Sequence, residues 1–202
     1  MFPDLMRDDV FRLETSRLWL RWPRALDAAR IAYLVSAREV AEQTTSIPHP
    51  YPPGAAAEFV LDARRRNLAG QSLILVVTLK GRPNEAIGAV SLNLEGDEAE
   101  IGYWLGKPYW GEGYMSEAVR ALIAMVFQLT ELDAIHAQMR RGNQRSRQVL
   151  EAVGFVPVGP GLCAAPARGG AVPGERFVLT RPAFADEGLP RPVEPAPQMQ
   201  TA

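Results

Sequence analysis

The stretch EIGYWLGKPYWGEGYMSEA, Glu100 to Ala118, places a glycine-containing loop between a strand pattern and a helix pattern. The strand is predicted over Ala99–Leu105 and the helix from near Gly113 to about Leu129, where apolar residues recur at helical spacing. Gly111 and Gly113 allow the backbone to turn sharply or to approach a ligand closely. Free N–H groups at a helix N-terminus also bind anions. The loop therefore indicates either a phosphate site or a tight turn required only for packing.

A dinucleotide site is one interpretation of this loop. The segment GEGYMS nearly matches the fingerprint G-x-G-x-x-G, and Asp133 lies at about the spacing of its ribose-binding acid. Two features oppose this interpretation: Ser116 occupies the third glycine position, and the loop follows antiparallel strands rather than the first strand of a βαβ unit. A P-loop is excluded because no Gly-Lys-Ser/Thr follows.

The segments on both sides of the loop predict an α/β fold. Before it we expect a strand, two helices and two strands, at Arg17–Trp22, Leu26–Val35, Ala55–Asn67, Ser72–Lys80 and Ala86–Leu94. After it we expect a strand at Ala134–Met139 and a short helix that Asn143 caps and Gly154 ends. These elements predict one domain over residues 1–185, with a mixed, mostly antiparallel central sheet flanked by helices.

The C-terminal part has a different composition. More than half of the prolines lie after Phe155, and GPGLCAAPARGGAVPG, residues 159–174, is predicted to be a flexible loop. The segment ERFVLTRPAF, Glu175–Phe184, is predicted to be one more strand. We expect the tail, residues 186–202, to be disordered.

Composition limits the classes of partner. The net charge of -1 gives no basic footprint for nucleic acid, and the single cysteine, Cys163, excludes an internal disulfide or a Cys-cluster metal site. No apolar run approaches the length of a transmembrane helix, and the acidic N-terminus does not match a signal peptide. We therefore expect a cytoplasmic monomer or homodimer with no metal, nucleic-acid partner or membrane partner.

Four segments together resemble a known family. ETSRLWLR, IPHPY, EIGYWLGKPYWGEGYMSEA and NQRSRQVLEAVGF are similar, in order and spacing, to motifs of the GNAT superfamily of acyl-CoA-dependent N-acetyltransferases. Within it they resemble the Rim-type branch, which includes the acetyltransferases of ribosomal-protein N-termini. The similarity extends from about Glu14 to Phe184.

The resemblance implies a site for acetyl-CoA. The fourth predicted strand would be splayed from its neighbour, so that its main chain pairs with the pantetheine arm, and main-chain N–H groups of the loop would hold the pyrophosphate. Asn143 would contact the pantetheine arm. The implied cofactor contacts are Tyr103, Trp104, Leu105, Trp110, Gly111, Glu112, Gly113, Tyr114, Met115, Ser116 and Asn143. The general motif Gln/Arg-x-x-Gly-x-Gly/Ala is matched only at Gly113, because Trp110 and Met115 occupy its first and last positions.

The resemblance also implies catalytic and acceptor residues. Glu100, at the start of the splayed strand, is the candidate base, acting directly or through water. Many members of the superfamily carry a tyrosine acid where this sequence has Leu150, so either Ser146 donates to the leaving thiolate or the thiolate leaves with the help of solvent. His49 and Tyr51 are candidates for the acceptor cleft, whereas His136 alternates outward on its strand and is expected to be solvated.

The expected activity is transfer of an acetyl group from acetyl-CoA to a primary amine, with a protein N-terminal α-amino group as the favoured acceptor. A small amine, such as a polyamine, an amino acid or an aminoglycoside, is the alternative acceptor. A sensor that binds acyl-CoA without turnover remains a different class of function.

Overall fold

The computed structural model describes residue 2, residues 4–95 and residues 98–186. Its strands are β1 (Arg12–Glu14), β2 (Leu18–Arg21), β3 (Ser72–Leu79), β4 (Arg82–Glu95), β5 (Glu98–Leu105), β6 (Ala134–Arg140), β7 (Val156–Ala165) and β8 (Gly170–Thr180). Its helices are α1 (Asp27–Val35), α2 (Arg38–Glu42), α3 (Ala55–Leu68), α4 (Tyr114–Leu129), α5 (Gln144–Val153) and α6 (Arg181–Asp186). Apart from Asp186, the tail predicted to be disordered lies outside the described residues.

These strands form one sheet in the order β1-β2-β3-β4-β5-β6-β8-β7. Neighbouring strands are antiparallel except β5 and β6, which are parallel. The predicted mixed, mostly antiparallel sheet is therefore confirmed, as is the meander of β3, β4 and β5.

Helices cover both faces of the sheet. Leu73 and Leu75 of β3 belong to the larger core, which includes the apolar side of α4. Val76, the residue after Leu75, points to the other face and belongs to a second core with Ile31 of α1 and Val60 of α3. The continuous apolar run of β3 thus reflects a strand that is buried on both faces.

Strand β5 separates from β6 after a short contact. Only Glu100 with His136 and Ile101 with Ala137 are paired between them, while β5 stays paired with β4 as far as Leu105. The rest of β5 therefore faces a gap instead of a neighbouring strand. This is the predicted splayed strand, which is the fifth in the chain because β1 precedes the strands that were predicted.

Three short elements differ from the sequence predictions. Strand β1 and helix α2 were not predicted, because three and five residues are too few to show a period. The strand predicted over Glu175–Phe184 ends at Thr180, and α6 follows it directly.

The flexible loop predicted over residues 159–174 is wrong. Most of this segment belongs to the antiparallel hairpin of β7 and β8 at the edge of the sheet. An edge strand tolerates prolines such as Pro157 and Pro160, because one side of it has no partner that needs their N–H groups. Gly174 is required for packing, since a Cβ there would lie 2.1 Å from Sγ of Cys163. Cys163 is buried, and its thiol donates to the carbonyl oxygen of Met139 at 3.3 Å.

Candidate active site

The loop before α4 ends in an open helix N-terminus. Gly111 and Gly113 have φ angles of 84° and 74°, in the left-handed region that glycine occupies readily. Gly113 is the N-cap of α4 and provides no side-chain cap. The N–H groups of the first turn, at Tyr114, Met115 and Ser116, consequently lack acceptors within the helix and can bind an anion.

Glu117 ties this helix turn to the segment that precedes β2. Thr15 Oγ1, Ser16 Oγ and the main-chain N–H of Arg17 donate to Oε1 of Glu117 at 2.6, 2.9 and 2.9 Å. The Arg17 guanidinium donates to Oε2 at 2.6 Å and also to the carbonyl oxygen of Glu112 at 2.9 Å. The segment ETSRLWLR therefore supports the glycine loop from outside.

The two acids of this region have different surroundings. Burial raises the pKa of Glu117, but hydrogen bonds from Thr15, Arg17 and Ser16 outweigh it and hold that pKa at about 2. Its charge is compensated by the Arg17 guanidinium. Glu112 is exposed, and it does not line the adjacent cavity.

A cavity of about 270 Å³ opens beside the loop, and we name it the donor cavity. It contains every predicted cofactor contact except Glu112. These residues are Tyr103, Trp104, Leu105, Trp110, Gly111, Gly113, Tyr114, Met115, Ser116 and Asn143. The splayed end of β5, the glycine loop and the start of α5 thus form one cleft.

A second cavity, of about 620 Å³, adjoins the first, and we name it the acceptor cavity. Glu100 lines it, and its carboxylate accepts a hydrogen bond of 2.9 Å from Nε2 of Gln138. The lining is mixed: it includes the ring of Phe59 and the guanidinium of Arg66, which donates to Oδ1 of Asn93 at 3.1 Å.

The two cavities meet at the gap between β5 and α5. Tyr103, Trp104, Asn143 and Ser146 line both of them. Gln43 and Thr44, which follow α2, also line both cavities, so six residues surround the junction.

A pair of hydroxyl groups lies at this junction. The Tyr103 hydroxyl is 2.8 Å from Oγ of Ser146 and donates to the carbonyl oxygen of Ser146 at 3.1 Å. Burial raises the pKa of Tyr103 above its ordinary value, and the hydrogen bond to Ser146 opposes this only partly. The phenol is therefore neutral. It lies on β5, whereas the position on α5 where many family members carry a tyrosine is occupied by Leu150, which is buried and apolar.

Asn143 has a structural role at the same place. Its Oδ1 accepts the main-chain N–H of Ser146 at 3.1 Å, which caps α5 as predicted. Its Nδ2 donates to the carbonyl oxygen of Gln43 at 3.0 Å. One amide proton and one lone pair of the side chain are left for a ligand.

Two predicted acceptor residues lie apart from these cavities. His49 is exposed, and Tyr51 packs against the second core formed with α1 and α3. Neither lines the donor or the acceptor cavity, although Ser46 and Ile47 of the same segment line the acceptor cavity. A role for His49 and Tyr51 in acceptor binding stays a prediction.

Several residues of the site were missed by sequence reasoning. Gln43 and Thr44 line both cavities but follow α2, which has no periodic signal. Arg145 lines the donor cavity one position before the predicted Ser146. The role of Thr15 and Ser16 was not predicted, although the family resemblance included their segment.

Neither a metal site nor a membrane-spanning helix is found in the part of the chain that the structure describes. Within residues 4–95 and 98–186, no group of three or more His, Cys, Asp or Glu side chains is placed to hold a metal ion. Among the helices that the structure describes, none has the length and apolar character needed to cross a membrane.

A helix N-terminus without a side-chain cap beside a splayed strand, with two cavities that meet at the gap, is an arrangement suited to acyl transfer. Residues 17–156 match the acetyltransferase (GNAT) domain family, and the chain belongs to this family. The predicted family, fold and enzyme class are thereby confirmed.

Three similar proteins illustrate the range of the family. The uncharacterized N-acetyltransferase p20 of Bacillus licheniformis is 32% identical over 146 residues, which are 71% of this chain and 81% of the relative. The ribosomal-protein-serine acetyltransferase of Escherichia coli (strain K12) is 38% identical over 78 residues, 37% of this chain and 44% of the relative. The microcin C7 self-immunity acetyltransferase MccE, solved with acetyl-CoA and AMP, has a TM-score of 0.71 at 19% identity and covers 82% of this chain and 93% of its own.

Proposed function

We propose that this protein transfers the acetyl group of acetyl-CoA to a protein N-terminal α-amino group. One observation carries the proposal: the donor and acceptor cavities meet at Tyr103, Trp104, Asn143 and Ser146, beside the splayed end of β5. Direct transfer between two substrates requires such a junction. Bound acetyl-CoA would supply an activated thioester. The protein then has to bind and orient the two substrates and to stabilise the negative charge that develops on the thioester.

The donor cavity fits coenzyme A in its chemistry. The N–H groups at the start of α4 and the left-handed glycines Gly111 and Gly113 would hold the pyrophosphate. The unpaired main chain of β5 from Gly102 to Leu105 would pair with the amides of the pantetheine arm, and a free N–H there would stabilise negative charge on the thioester oxygen. Glu112 would contribute its main chain alone.

Glu100 would accept the proton of the attacking amine, directly or through a water molecule. It lines the acceptor cavity and is held by Gln138, which fixes the direction of its carboxylate. An α-amino group has a pKa of about 7.7–8.0, against about 10.4 for lysine, so an N-terminal amine needs little help to lose its proton. With an N-terminal acceptor, a weak base such as a carboxylate is therefore sufficient.

Ser146 would stabilise the departing sulfur through its hydroxyl. Full proton transfer from Tyr103 to a thiolate is unfavourable, because an ordinary thiol has a pKa of about 8.5 and a tyrosine of about 10, which burial here raises further. Tyr103 therefore acts by orienting Ser146: when its hydroxyl donates to Oγ of Ser146 instead of to the Ser146 carbonyl oxygen, the Ser146 proton is free to form a hydrogen bond to the developing thiolate. The thiolate then takes its proton from solvent.

The choice of a protein N-terminus as the favoured acceptor rests on similarity. The relative from Escherichia coli is named as an acetyltransferase of ribosomal-protein serine, and the four motifs of this chain resemble the Rim-type branch. A small amine is the second candidate, since the family match by itself leaves the acceptor open. A cavity of about 620 Å³ is large enough for either a peptide end or a small molecule.

An acceptor screen tests the proposal. Acetyl-CoA is incubated with peptides that carry a free N-terminus, with the same peptides blocked at the N-terminus but containing lysine, and with a set of polyamines, amino acids and aminoglycosides. Release of free thiol is measured, and the product is located by mass spectrometry. We expect release with free N-termini, and we expect Glu100→Gln to lower kcat by about 100-fold at neutral pH.

Gln138→Ala is the control variant for Glu100→Gln. It leaves the Glu100 carboxylate in place and removes the hydrogen bond that Gln138 donates to it. Saturable binding of coenzyme A without amine-dependent thiol release would instead identify an acyl-CoA sensor. Release with small amines alone would assign the second candidate.

A further inference from the structure

Arg145, in the first turn of α5, holds a positive charge at the wall of the donor cavity. Its guanidinium carbon lies 4.6 Å from the centre of the Trp110 ring. Trp110 is itself fixed, because its indole N–H donates to the carbonyl oxygen of Leu105 at 2.7 Å. Arg145 and Trp110 line the same cavity as Gly111 and Gly113 of the anion-binding loop. The guanidinium is thus held on a rigid aromatic surface beside this loop.

This cation differs from other arginines around the site. Arg147, two positions further along α5, pairs with Glu151 at 3.1 Å and with Glu175. Arg17 pairs with Glu117 at 2.6 Å. Among residues 4–95 and 98–186, by contrast, no carboxylate lies within ion-pair distance of Arg145. Its charge is therefore available to a negative group that enters the cavity.

We propose that Arg145 binds phosphate oxygens at the nucleotide end of coenzyme A. The inference rests on the proposed function, since it names a further contact of the same donor site. A guanidinium that contacts a ring by its face keeps its N–H groups at the edge, where they match two phosphate oxygens. The stacking on Trp110 also reduces the side-chain entropy that is lost on binding.

Coenzyme A offers two phosphate groups to this arginine, the pyrophosphate and the 3′-phosphate of the ribose. Both present the same chemistry to a guanidinium. In the proposed function, the main-chain N–H groups at the start of α4 already bind the pyrophosphate. Arg145 lies on α5 instead, so its position does not decide which of the two phosphate groups it contacts. A ligand that lacks only the 3′-phosphate separates the two possibilities.

Isothermal titration calorimetry with coenzyme A and 3′-dephospho-coenzyme A tests the inference. We expect Arg145→Ala to weaken binding of coenzyme A by about tenfold to a hundredfold, which is typical of one charged hydrogen-bonding contact. If the contact is to the 3′-phosphate, the same variant binds dephospho-coenzyme A as the wild type does. If it is to the pyrophosphate, both ligands are weakened by the same factor.

Arg141→Ala is the matched control, because it removes a positive charge four residues before Arg145. The Arg141 side chain is exposed and lines neither cavity. Arg145→Lys keeps the charge without the planar fork and should recover part of the affinity. Equal affinity of the wild type and Arg145→Ala, or equal losses in Arg145→Ala and Arg141→Ala, would overturn the inference. A wild-type protein that binds no coenzyme A would overturn the proposed function instead.

Thermal unfolding of the ligand-free variants completes the test. The Arg145 side chain is exposed, so its removal should leave the unfolding temperature unchanged. Weak binding by a variant with the wild-type unfolding temperature then reports a lost contact with the ligand.

Discussion

Gly111 and Gly113 are required for their backbone conformation. A Cβ on Gly111 would meet no atom within 4 Å, and one on Gly113 would meet only the guanidinium of Arg17 at 3.5 Å. Space is therefore not the constraint. Both residues have positive φ angles, which glycine adopts without the strain that a side chain would add. An acidic residue between them is compatible with the proposed anion site, because main-chain N–H groups would supply its contacts.

We expect Gly113→Val to abolish measurable binding of coenzyme A. A β-branched residue cannot adopt a φ of 74° without strain, so the start of α4 has to change shape. Glu112→Lys should change the affinity only modestly, because this side chain is exposed and outside the cavity. Fluorescence or calorimetric titration measures both effects.

Gly113→Asn serves as the control, since asparagine tolerates the left-handed region and should retain binding. Equal losses in Gly113→Val and Glu112→Lys would mean that side-chain charge, rather than main-chain geometry, governs the loop.

At the scale of elements, α4 is held to the segment before β2 by the carboxylate of Glu117. This group accepts four hydrogen bonds, from two hydroxyls, one main-chain N–H and one guanidinium. Arg17 extends the contact to the loop through the carbonyl oxygen of Glu112 and lies over the Tyr114 ring at 4.6 Å. A segment about 100 residues away in sequence thereby sets the position of the helix N-terminus.

Replacing Glu117 with Gln should lower the free energy of unfolding by about 2 kcal/mol at pH 7. The folded-state pKa of Glu117 is about 2, against an ordinary value of 4.5. Because the folded pKa is the lower one, this stabilisation is complete above about pH 4.5 and is lost as the pH falls towards 2. Urea unfolding of both proteins between pH 7 and pH 3 should show the difference shrinking with acid.

Glu131→Gln is the matched control, because Glu131 is exposed and follows the same helix. It should differ little from the wild type at any pH. A difference between the wild type and Glu117→Gln that stays constant from pH 7 to pH 3 would contradict the assignment.

At the scale of the whole molecule, the donor cavity is built from parts that are distant in the chain. The glycine loop, the open end of β5 and the first turn of α5 are held together by the packing of α4 and α5 on the sheet. A ligand that contacts all three parts binds only the folded protein. Binding must therefore stabilise the fold.

We expect coenzyme A at about 100 times its dissociation constant to increase the free energy of unfolding by about 2.7 kcal/mol. Thermal unfolding with and without coenzyme A measures this as a rise in unfolding temperature. NAD(H) is the comparison ligand, since the loop nearly matches a dinucleotide fingerprint. Protection by NAD(H) and none by coenzyme A would show that the donor site has been assigned to the wrong ligand.

Particular residues show how far sequence patterns reach in this protein. The spacing of apolar residues predicted α4 and β3 closely, because each is long enough to repeat its period several times. The loop and the cap at Asn143 were predicted because glycine and asparagine have strong local preferences. The hairpin of β7 and β8 was missed, because an edge strand and a loop can both be rich in glycine and proline.

The sequence by itself determined most of the long elements, the glycine loop before α4 and the family, because these depend on local spacing and on the local preferences of the backbone. Only the tertiary structure decided that β5 leaves β6 after Ile101, that Glu117 meets Thr15 and Arg17, and that Tyr103 meets Ser146. It also placed Arg145 on Trp110. These contacts join residues that are far apart in the chain, and their partners are selected by packing, which leaves no periodic signal in the sequence.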